Sequence, residues 1–161
     1  MRKVVVNSSP LIALSGIKSL ELLREIYGKI LIPQAVYREI SAKPGSVCQK
    51  SVDAALSWIE ICAVENRLAK LFFKSKLHDG EVEAMILTQE KAADLLIIDD
   101  ALAKKHAEYL GMNVTGTLGV LVKAKKQGII PELNPLLEKL IGNHIYISDN
   151  LIKKCLLAVG E

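Results

Sequence analysis

The sequence is poor in the residues that mark several common protein classes. Its 161 residues include three cysteines, and aromatic side chains make up 4%. Cys48, Cys62 and Cys155 are odd in number, widely spaced and without a C-x-x-C pair, which argues against a disulfide framework and a zinc site. We expect buried, reduced thiols. The scarcity of aromatics argues against a stacking platform as the main means of gripping single-stranded bases.

Long apolar runs and a strong net charge are also missing. No segment approaches the roughly 20 apolar residues that span a bilayer, and the N-terminus reaches Asn7 too soon to hold a secretory apolar region. We therefore expect a cytoplasmic protein without membrane association. The formal net charge of +3 is too mild to require a polyanionic partner by itself.

The residues that are present predict one folded domain over positions 1–161. Half of them are hydrophobic, which excludes global disorder. Short apolar runs indicate strands at 3–6, 29–32, 60–63, 95–98 and 112–114. Helical spacing fills the intervals, including 34–41, 66–76, a helix from Glu81, 101–110, 117–128, 131–141 and 148–159. Leu11 to Leu14 are also expected to be helical, with the helical pattern continuing to Gly28, and a further helix is expected around Val52 to Ile59.

This alternation defines the expected fold class. Residues 95–98 are all apolar, which is typical of a parallel strand buried on both faces. We therefore predict an α/β fold, a three-layer sandwich whose central parallel sheet is covered by helices on both faces.

Polar residues follow the expected strands. The carboxyl ends of parallel strands meet at one edge of a sheet, where the ligand crevice lies. Glu39 and Glu81 lie on helices that follow a strand or a turn, so their carboxylates could join that crevice. The residues that follow the first, the buried and the last strand are Asn7, Ser8 and Ser9; Asp99 and Asp100; and Thr115, Gly116 and Thr117.

Carboxylates brought together repel one another unless some are protonated or a cation lies between them. Hard oxygen ligands favour Mg²⁺ or Mn²⁺, which polarise a phosphate and activate water without any histidine or cysteine. His78, His106 and His144 show no metal-ligand spacing.

Each of these residues also has a purely structural interpretation. Asp99 and Asp100 suit the start of a helix at Ala101, Glu81 and Glu83 suit a first helical turn, and Glu39 suits a solvated surface. A nucleotide-binding loop is not indicated, because residues 115–119 lack the lysine and the glycine spacing of the phosphate-binding motifs.

Five segments, in order, resemble the PIN domain, and more closely the branch of PIN-like proteins that accompanies VapC-type toxins. The resemblance covers nearly the whole chain. The segments are Val4-Val5-Val6-Asn7-Ser8-Ser9-Pro10-Leu11-Ile12-Ala13-Leu14, Ile32-Pro33-Gln34-Ala35-Val36-Tyr37-Arg38-Glu39-Ile40, His78-Asp79-Gly80-Glu81-Val82-Glu83-Ala84, the run from Leu95 to Asp100, and Thr115-Gly116-Thr117-Leu118-Gly119-Val120-Leu121.

The resemblance implies a role for each matching position. Asn7 stands where the family usually has its first aspartate, and Ser9 matches a small hydroxyl residue. Glu39 matches the second acid. Glu81 best matches the third, with Asp79 and Glu83 as neighbours, and Asp100 best matches the fourth, with Asp99 beside it. Thr115 or Thr117 stands where an acid or hydroxyl closes the site in other members.

The implied function is a Mg²⁺- or Mn²⁺-dependent ribonuclease, with a toxin role, a small antitoxin and a homodimer as further expectations. Asn7, Glu39, Glu81, Asp99 and Asp100 would bind the metal. Glu39, Glu81, Asp100, Ser9 and Thr117 would be the catalytic set. Lys104, Lys105 and Lys123 would receive RNA phosphates, although each also fits an ordinary solvated helix face.

Asn7 leaves a second hypothesis open. An amide keeps an oxygen ligand but removes a negative charge from the metal site. The chain could therefore be a catalytically weakened PIN fold that binds RNA or a protein. A third, weaker hypothesis is a phosphatase that acts on small molecules.

Overall fold

A parallel five-stranded sheet forms the centre of the computed structural model, which describes residues 2–66 and 77–161. The strands are β1 (Val4–Val6), β2 (Ile30–Pro33), β3 (Ile59–Cys62), β4 (Leu95–Ile97) and β5 (Val114–Thr115). Their spatial order is β3-β2-β1-β4-β5. The first strand in the sequence is therefore the central one, with Val5 paired to both Leu31 and Leu96.

Helices connect these strands, as the handedness and length of parallel crossovers require. They are α1 (Ser8–Gly16), α2 (Glu21–Tyr27), α3 (Gln34–Ser41), α4 (Val47–Asp53), α5 (Asp79–Glu90), α6 (Ala101–Tyr109), α7 (Thr117–Lys126), α8 (Asn134–Gly142) and α9 (Asp149–Ala158).

Two apolar cores lie on the two faces of the sheet, because successive strand side chains point to opposite faces. Val4 and Val6 enter the larger core with residues of α1, α2, α4, α7, α8 and α9. Val5 enters the other core, where α5 and α6 pack. This arrangement confirms the predicted α/β sandwich with helices on both faces.

Strands are added on one side of β1 first and on its other side afterwards. From β1 it proceeds outward through β2 to β3, and it then returns to the opposite side of β1 to form β4. The backbone N–H of Asn7 donates to the carbonyl of Ile97 at 2.9 Å, which joins the carboxyl ends of these two strands. This is the topological switch point, where open α/β sheets bind ligands.

Several predicted boundaries were wrong. The helical pattern from Leu11 to Gly28 is two helices, interrupted at Lys18, whose φ of 57° lies in the left-handed region. The helix expected around Val52 to Ile59 ends at Asp53, and Ile59 already belongs to β3. The last strand extends to Thr115, so Gly116 rather than a threonine precedes α7.

Other expectations have mixed outcomes. The helix predicted over 66–76 falls almost wholly on residues 67–76, outside the described residues. All three cysteines are free thiols; Cys48 and Cys155 are buried, whereas Cys62 is half-buried. In the described part of the chain, no helix is long and apolar enough to cross a membrane.

Candidate functional site at the carboxyl ends of the strands

Asn7 occupies the switch point with an unsatisfied polar atom. Its extended backbone ends β1 and directly precedes α1. The residue is 2% exposed, and its side-chain Oδ1 is buried without a hydrogen-bond partner among the described residues. A buried amide oxygen without a donor lowers stability by about 1–3 kcal/mol, so its persistence calls for an explanation beyond packing.

Glu39 links three helices beside this position. Its Oε2 accepts a hydrogen bond from the Ser8 hydroxyl of α1 at 2.7 Å, and its Oε1 accepts one from the Gly80 N–H of α5 at 3.0 Å. A Cβ atom at residue 80 would collide with the Glu39 carboxylate. Glycine at position 80 therefore permits the close approach that brings Glu39 of α3 to the start of α5.

Glu81 is a buried carboxylate in the first turn of α5. It is 6% exposed, and its Oε1 accepts a hydrogen bond from the His78 N–H at 2.9 Å. Burial raises the pKa of the Glu81 carboxyl; the His78 N–H opposes this shift, whereas the negative charges of Asp100 and Glu39 add to it. Glu81 therefore lies within electrostatic reach of both Asp100 and Glu39.

The two aspartates after β4 have different partners. Asp100 directly precedes α6, and its side chain accepts a hydrogen bond from the Ala103 N–H at 2.8 Å. This confirms its expected structural role as a helix cap. Asp99 accepts two bonds of 2.7 Å from Thr117, one from the N–H and one from the hydroxyl. Thr117 therefore holds Asp99 at the start of α7.

Asp79 and Glu83, the two neighbours of Glu81, face α3 instead. Glu83 Oε1 accepts a hydrogen bond from the Ala35 N–H at 3.1 Å, and Glu83 Oε2 lies 3.5 Å from the Arg38 guanidinium. Asp79 lies 3.8 Å from the same guanidinium. Asp100 and Glu39 add to the raised pKa of Glu81, the residue between these two neighbours.

The predicted basic residues are not brought together. Lys104 of α6 lies near Asp99, since its Nζ and the Asp99 Oδ1 would each stand 2.7 Å from a Cβ on Gly116. Lys105 is exposed on the same helix. Lys123 of α7 lies over the Tyr27 ring, 5.0 Å from its centroid, and Arg2 contacts that ring at 5.8 Å. Arg2 precedes β1, so Lys123 is on the side of the molecule where that strand begins.

The side chains at this edge of the sheet offer the types of oxygen atom that bind a divalent cation. Carboxylate, amide and hydroxyl oxygens are the ligands that Mg²⁺ and Mn²⁺ prefer. Among the described residues, the buried Asn7 oxygen also has no hydrogen-bond donor. Within residues 2–66 and 77–161, however, no three carboxylate, imidazole or thiolate groups are arranged so that they could already hold a metal ion. For a divalent cation to bind, the carboxylates of Glu39, Glu81 and Asp100 would have to approach one another.

Sequence reasoning gave no specific role to two residues that contact Glu39. Ser8 was expected only among the polar residues after the first strand, and its hydroxyl donates to Glu39; Gly80 appeared only within a segment that resembles the family, and its N–H donates to Glu39. A serine directly after Asn7 and a glycine directly before Glu81 were the available signals. Ser9 is exposed in the first turn of α1 and lines the cavity that also contains Asp99 and Thr117.

Comparisons with known proteins identify the family and agree with the fold. A family model described as a PIN domain matches residues 3–161. Among solved structures, a PilT N-terminus domain protein, SSO1118, from the hyperthermophilic archaeon Sulfolobus solfataricus P2 is 23% identical; the alignment covers 76% of this chain and 92% of that one, with a TM-score of 0.54. That likeness shows the fold alone. A comparison with curated proteins gives no match. The family match confirms the resemblance, and the chain belongs to the PIN-domain family.

Proposed function

We propose that this chain is a divalent-metal-dependent ribonuclease that hydrolyses RNA phosphodiesters. PIN domains are generally nucleases that depend on divalent metal ions. In this proposal Glu39, Glu81 and Asp100 hold Mg²⁺ or Mn²⁺, and Asn7 contributes a neutral oxygen. Asp99 is a further candidate ligand, and it would bind the metal only after its hydrogen bonds from Thr117 break.

One observation carries the proposal. The buried Glu81 carboxyl has its pKa raised by burial and further by Asp100 and Glu39, at the same edge of the sheet as the unpartnered Asn7 oxygen. Electrostatic repulsion and an unsatisfied oxygen both lower stability when no cation is bound, and a divalent cation would relieve both.

The chain's own residues would prepare this chemistry. A bound divalent ion would polarise the scissile phosphate and lower the pKa of a water ligand. Ser8 and Gly80 would orient Glu39, and the Ala103 N–H would orient Asp100. Ser9, exposed beside Asp99, could hold a phosphate or a water, whereas Thr117 would act mainly by positioning Asp99.

Calorimetric titration of Mn²⁺ into metal-free protein tests the site without any assumption about the RNA. We expect saturable binding by the wild type that Glu81→Gln and Asp100→Asn lose, while Asp149→Asn, an exposed first-turn aspartate of α9, binds normally. Cleavage of an RNA mixture should follow the same order. Unchanged cleavage in folded Glu81→Gln and Asp100→Asn would remove both residues from the site.

A second candidate is a catalytically weakened PIN fold that binds RNA or protein. It is favoured by the neutral Asn7 and by the hydrogen bonds that already occupy Glu39, Glu81 and Asp100. Asn7→Asp discriminates between the two candidates. Nuclease activity that appears only in this variant would support the binding module, whereas cleavage by the wild type would exclude it.

The family resemblance also leads us to propose a single domain over residues 1–161, a cytoplasmic location, a homodimer and a small antitoxin partner. Light scattering tests the homodimer. Co-expression with the product of a neighbouring small reading frame, followed by a cleavage assay, tests the antitoxin.

A further inference from the structure

A groove with a cavity volume of about 800 Å³ opens beside Asp99. Ile12 of α1, Val122 of α7 and Leu151 of α9 contribute to apolar walls. Among the described residues that line it, the charged ones are Asp99 and Lys104, and both lie at its polar end near Gly116. The groove therefore has apolar walls along its length and the Lys104 ammonium at its polar end, next to Asp99.

Tyr146 stands at this groove with its ring in solvent. The side chain is 89% exposed, although the sequence has few aromatic residues. Its neighbours Ile145 and Ile147 pack into the larger core, and Ile147 is 8% exposed. The flanking isoleucines anchor this part of the backbone to the core, so Tyr146 is held at the groove with its ring exposed to solvent.

Lys104 provides the complementary charge. Asp99 is engaged through both carboxylate oxygens by Thr117, and the Lys104 ammonium lies against Gly116 beside it. A ligand that fits this groove would carry an anionic group for Lys104 and a flat apolar face for Tyr146. A nucleotide combines these two features. Because bases stacked in a duplex do not present a free face, the nucleotide would belong to a single strand.

We propose that this groove binds a nucleotide of single-stranded RNA, with its base stacked on Tyr146 and a phosphate at Lys104. The inference deepens the proposed function, on which it rests, by naming residues that would select unpaired substrate. Tyr146 would be a binding and specificity residue, separate from the carboxylates that would hold the metal.

Fluorescence anisotropy with a labelled single-stranded oligoribonucleotide, in EDTA, measures binding without cleavage. We expect Tyr146→Ala to raise the Kd by about tenfold, because base stacking on an aromatic ring contributes on that order. Tyr146→Phe should retain wild-type affinity. Tyr109→Ala is the matched control, since Tyr109 is also 89% exposed but lies on α6 and does not line the groove.

Two further measurements separate stacking from charge. An abasic strand should bind wild type and Tyr146→Ala equally. Lys104→Ala should lower the slope of log Kd against log salt concentration by about 0.7, the value for one phosphate contact on a single strand. Lys50→Ala, an exposed lysine of α4 outside the groove, should leave that slope unchanged.

The proposal would be overturned if Tyr146→Ala and Tyr109→Ala weakened binding equally, or if the loss persisted on the abasic strand. A change in molecular mass of Tyr146→Ala by light scattering, with RNA affinity unchanged, would assign the groove to a second copy of the chain. Because binding is measured without metal, intact Tyr146-dependent binding in a protein that never cleaves RNA would refute the nuclease proposal alone.

Discussion

Two buried polar residues at the edge of the sheet, Glu81 and Asn7, lower the stability of the folded protein. Glu81 is buried with a raised pKa, and the Asn7 oxygen is buried without a partner in the described part of the chain. Both features lower stability, whereas the strand-end carboxylates of Asp99 and Asp100 accept hydrogen bonds from neighbouring residues. Such local conflicts are characteristic of functional sites, where activity is retained at the expense of stability.

Glu81→Gln should therefore stabilise the metal-free protein at neutral pH. Because the folded-state pKa of Glu81 is raised, its favourable contribution is present below the unfolded-state pKa and is lost as pH rises through the folded-state pKa. The melting temperature of Glu81→Gln should exceed that of the wild type at neutral pH, and the two should converge in acid. Thermal melts in EDTA over a pH series measure this, with exposed Glu25→Gln as control. A difference that did not vary with pH would contradict it.

Gly80→Ala should weaken Mn²⁺ binding while leaving the protein folded. The added methyl would overlap the Glu39 carboxylate and displace it from the Gly80 N–H. Disturbing a residue that orients a ligand reduces metal affinity by about 10–100-fold. Gly142→Ala is the matched control, because a Cβ there meets nothing within 4 Å. Equal Mn²⁺ affinities for the two variants in calorimetry would argue against Glu39 as a ligand.

At the scale of elements, helix starts rely on distant residues. Some helices are capped by a residue directly before them, such as α6 by Asp100 and α9 by Ser148. The start of α3 instead receives Glu83 from α5, through the Ala35 N–H. The start of α8 receives the carboxylate of Glu161, which accepts hydrogen bonds from the N–H groups of Leu133 at 2.7 Å and Asn134 at 3.2 Å.

Glu161→Gln should destabilise the protein at neutral pH but not in acid. The hydrogen bond from the Leu133 N–H, above all, lowers the pKa of the Glu161 carboxyl, with Lys125 also contributing. A lowered folded-state pKa gives stability that is present above the unfolded-state pKa and is lost as pH falls through the folded-state pKa. Melting temperatures of wild type and variant should therefore converge at low pH. Exposed Glu132→Gln should match the wild type throughout, and a gap that widened in acid would refute the cap.

At the scale of the whole molecule, the sheet order determines where the site is. Because β1 lies between β2 and β4, Asn7 is brought beside the end of β4, and the elements that carry Glu39 and Glu81 come to the same edge. The central strands are buried on both faces, so the position of this edge depends on two apolar cores.

Leu96→Ala should lower the free energy of unfolding by about 3 kcal/mol, because Leu96 of β4 is wholly buried and its truncation leaves a cavity. For a chain of this length, such a loss lowers the melting temperature by about 10 °C. Leu157→Ala, which truncates a leucine that is 82% exposed, should change stability by less than about 0.5 kcal/mol. Thermal and urea unfolding measure both. Similar losses in the two variants would contradict the assigned core.

Much of this organisation was predictable from sequence. Unbroken apolar runs identified β1 and β4, turn and cap residues marked most helix limits, and the ordered segments indicated the family. The errors arose where local signals were weak. The helical pattern continued through Lys18, because a single left-handed residue leaves no distinct trace in apolar periodicity.

The sequence by itself determined the alternation of strands and helices and which polar residues follow each strand, because both depend on periodicity and on neighbouring residues. The tertiary structure alone decided that Asp100 and Glu39 come close enough to Glu81 to raise its pKa, and that Lys104 lies near Asp99 whereas Lys123 lies over the Tyr27 ring. Those outcomes depend on contacts between residues far apart in the chain, such as Ser8 with Glu39 and Glu39 with Gly80, which form only when the sheet order brings their helices together.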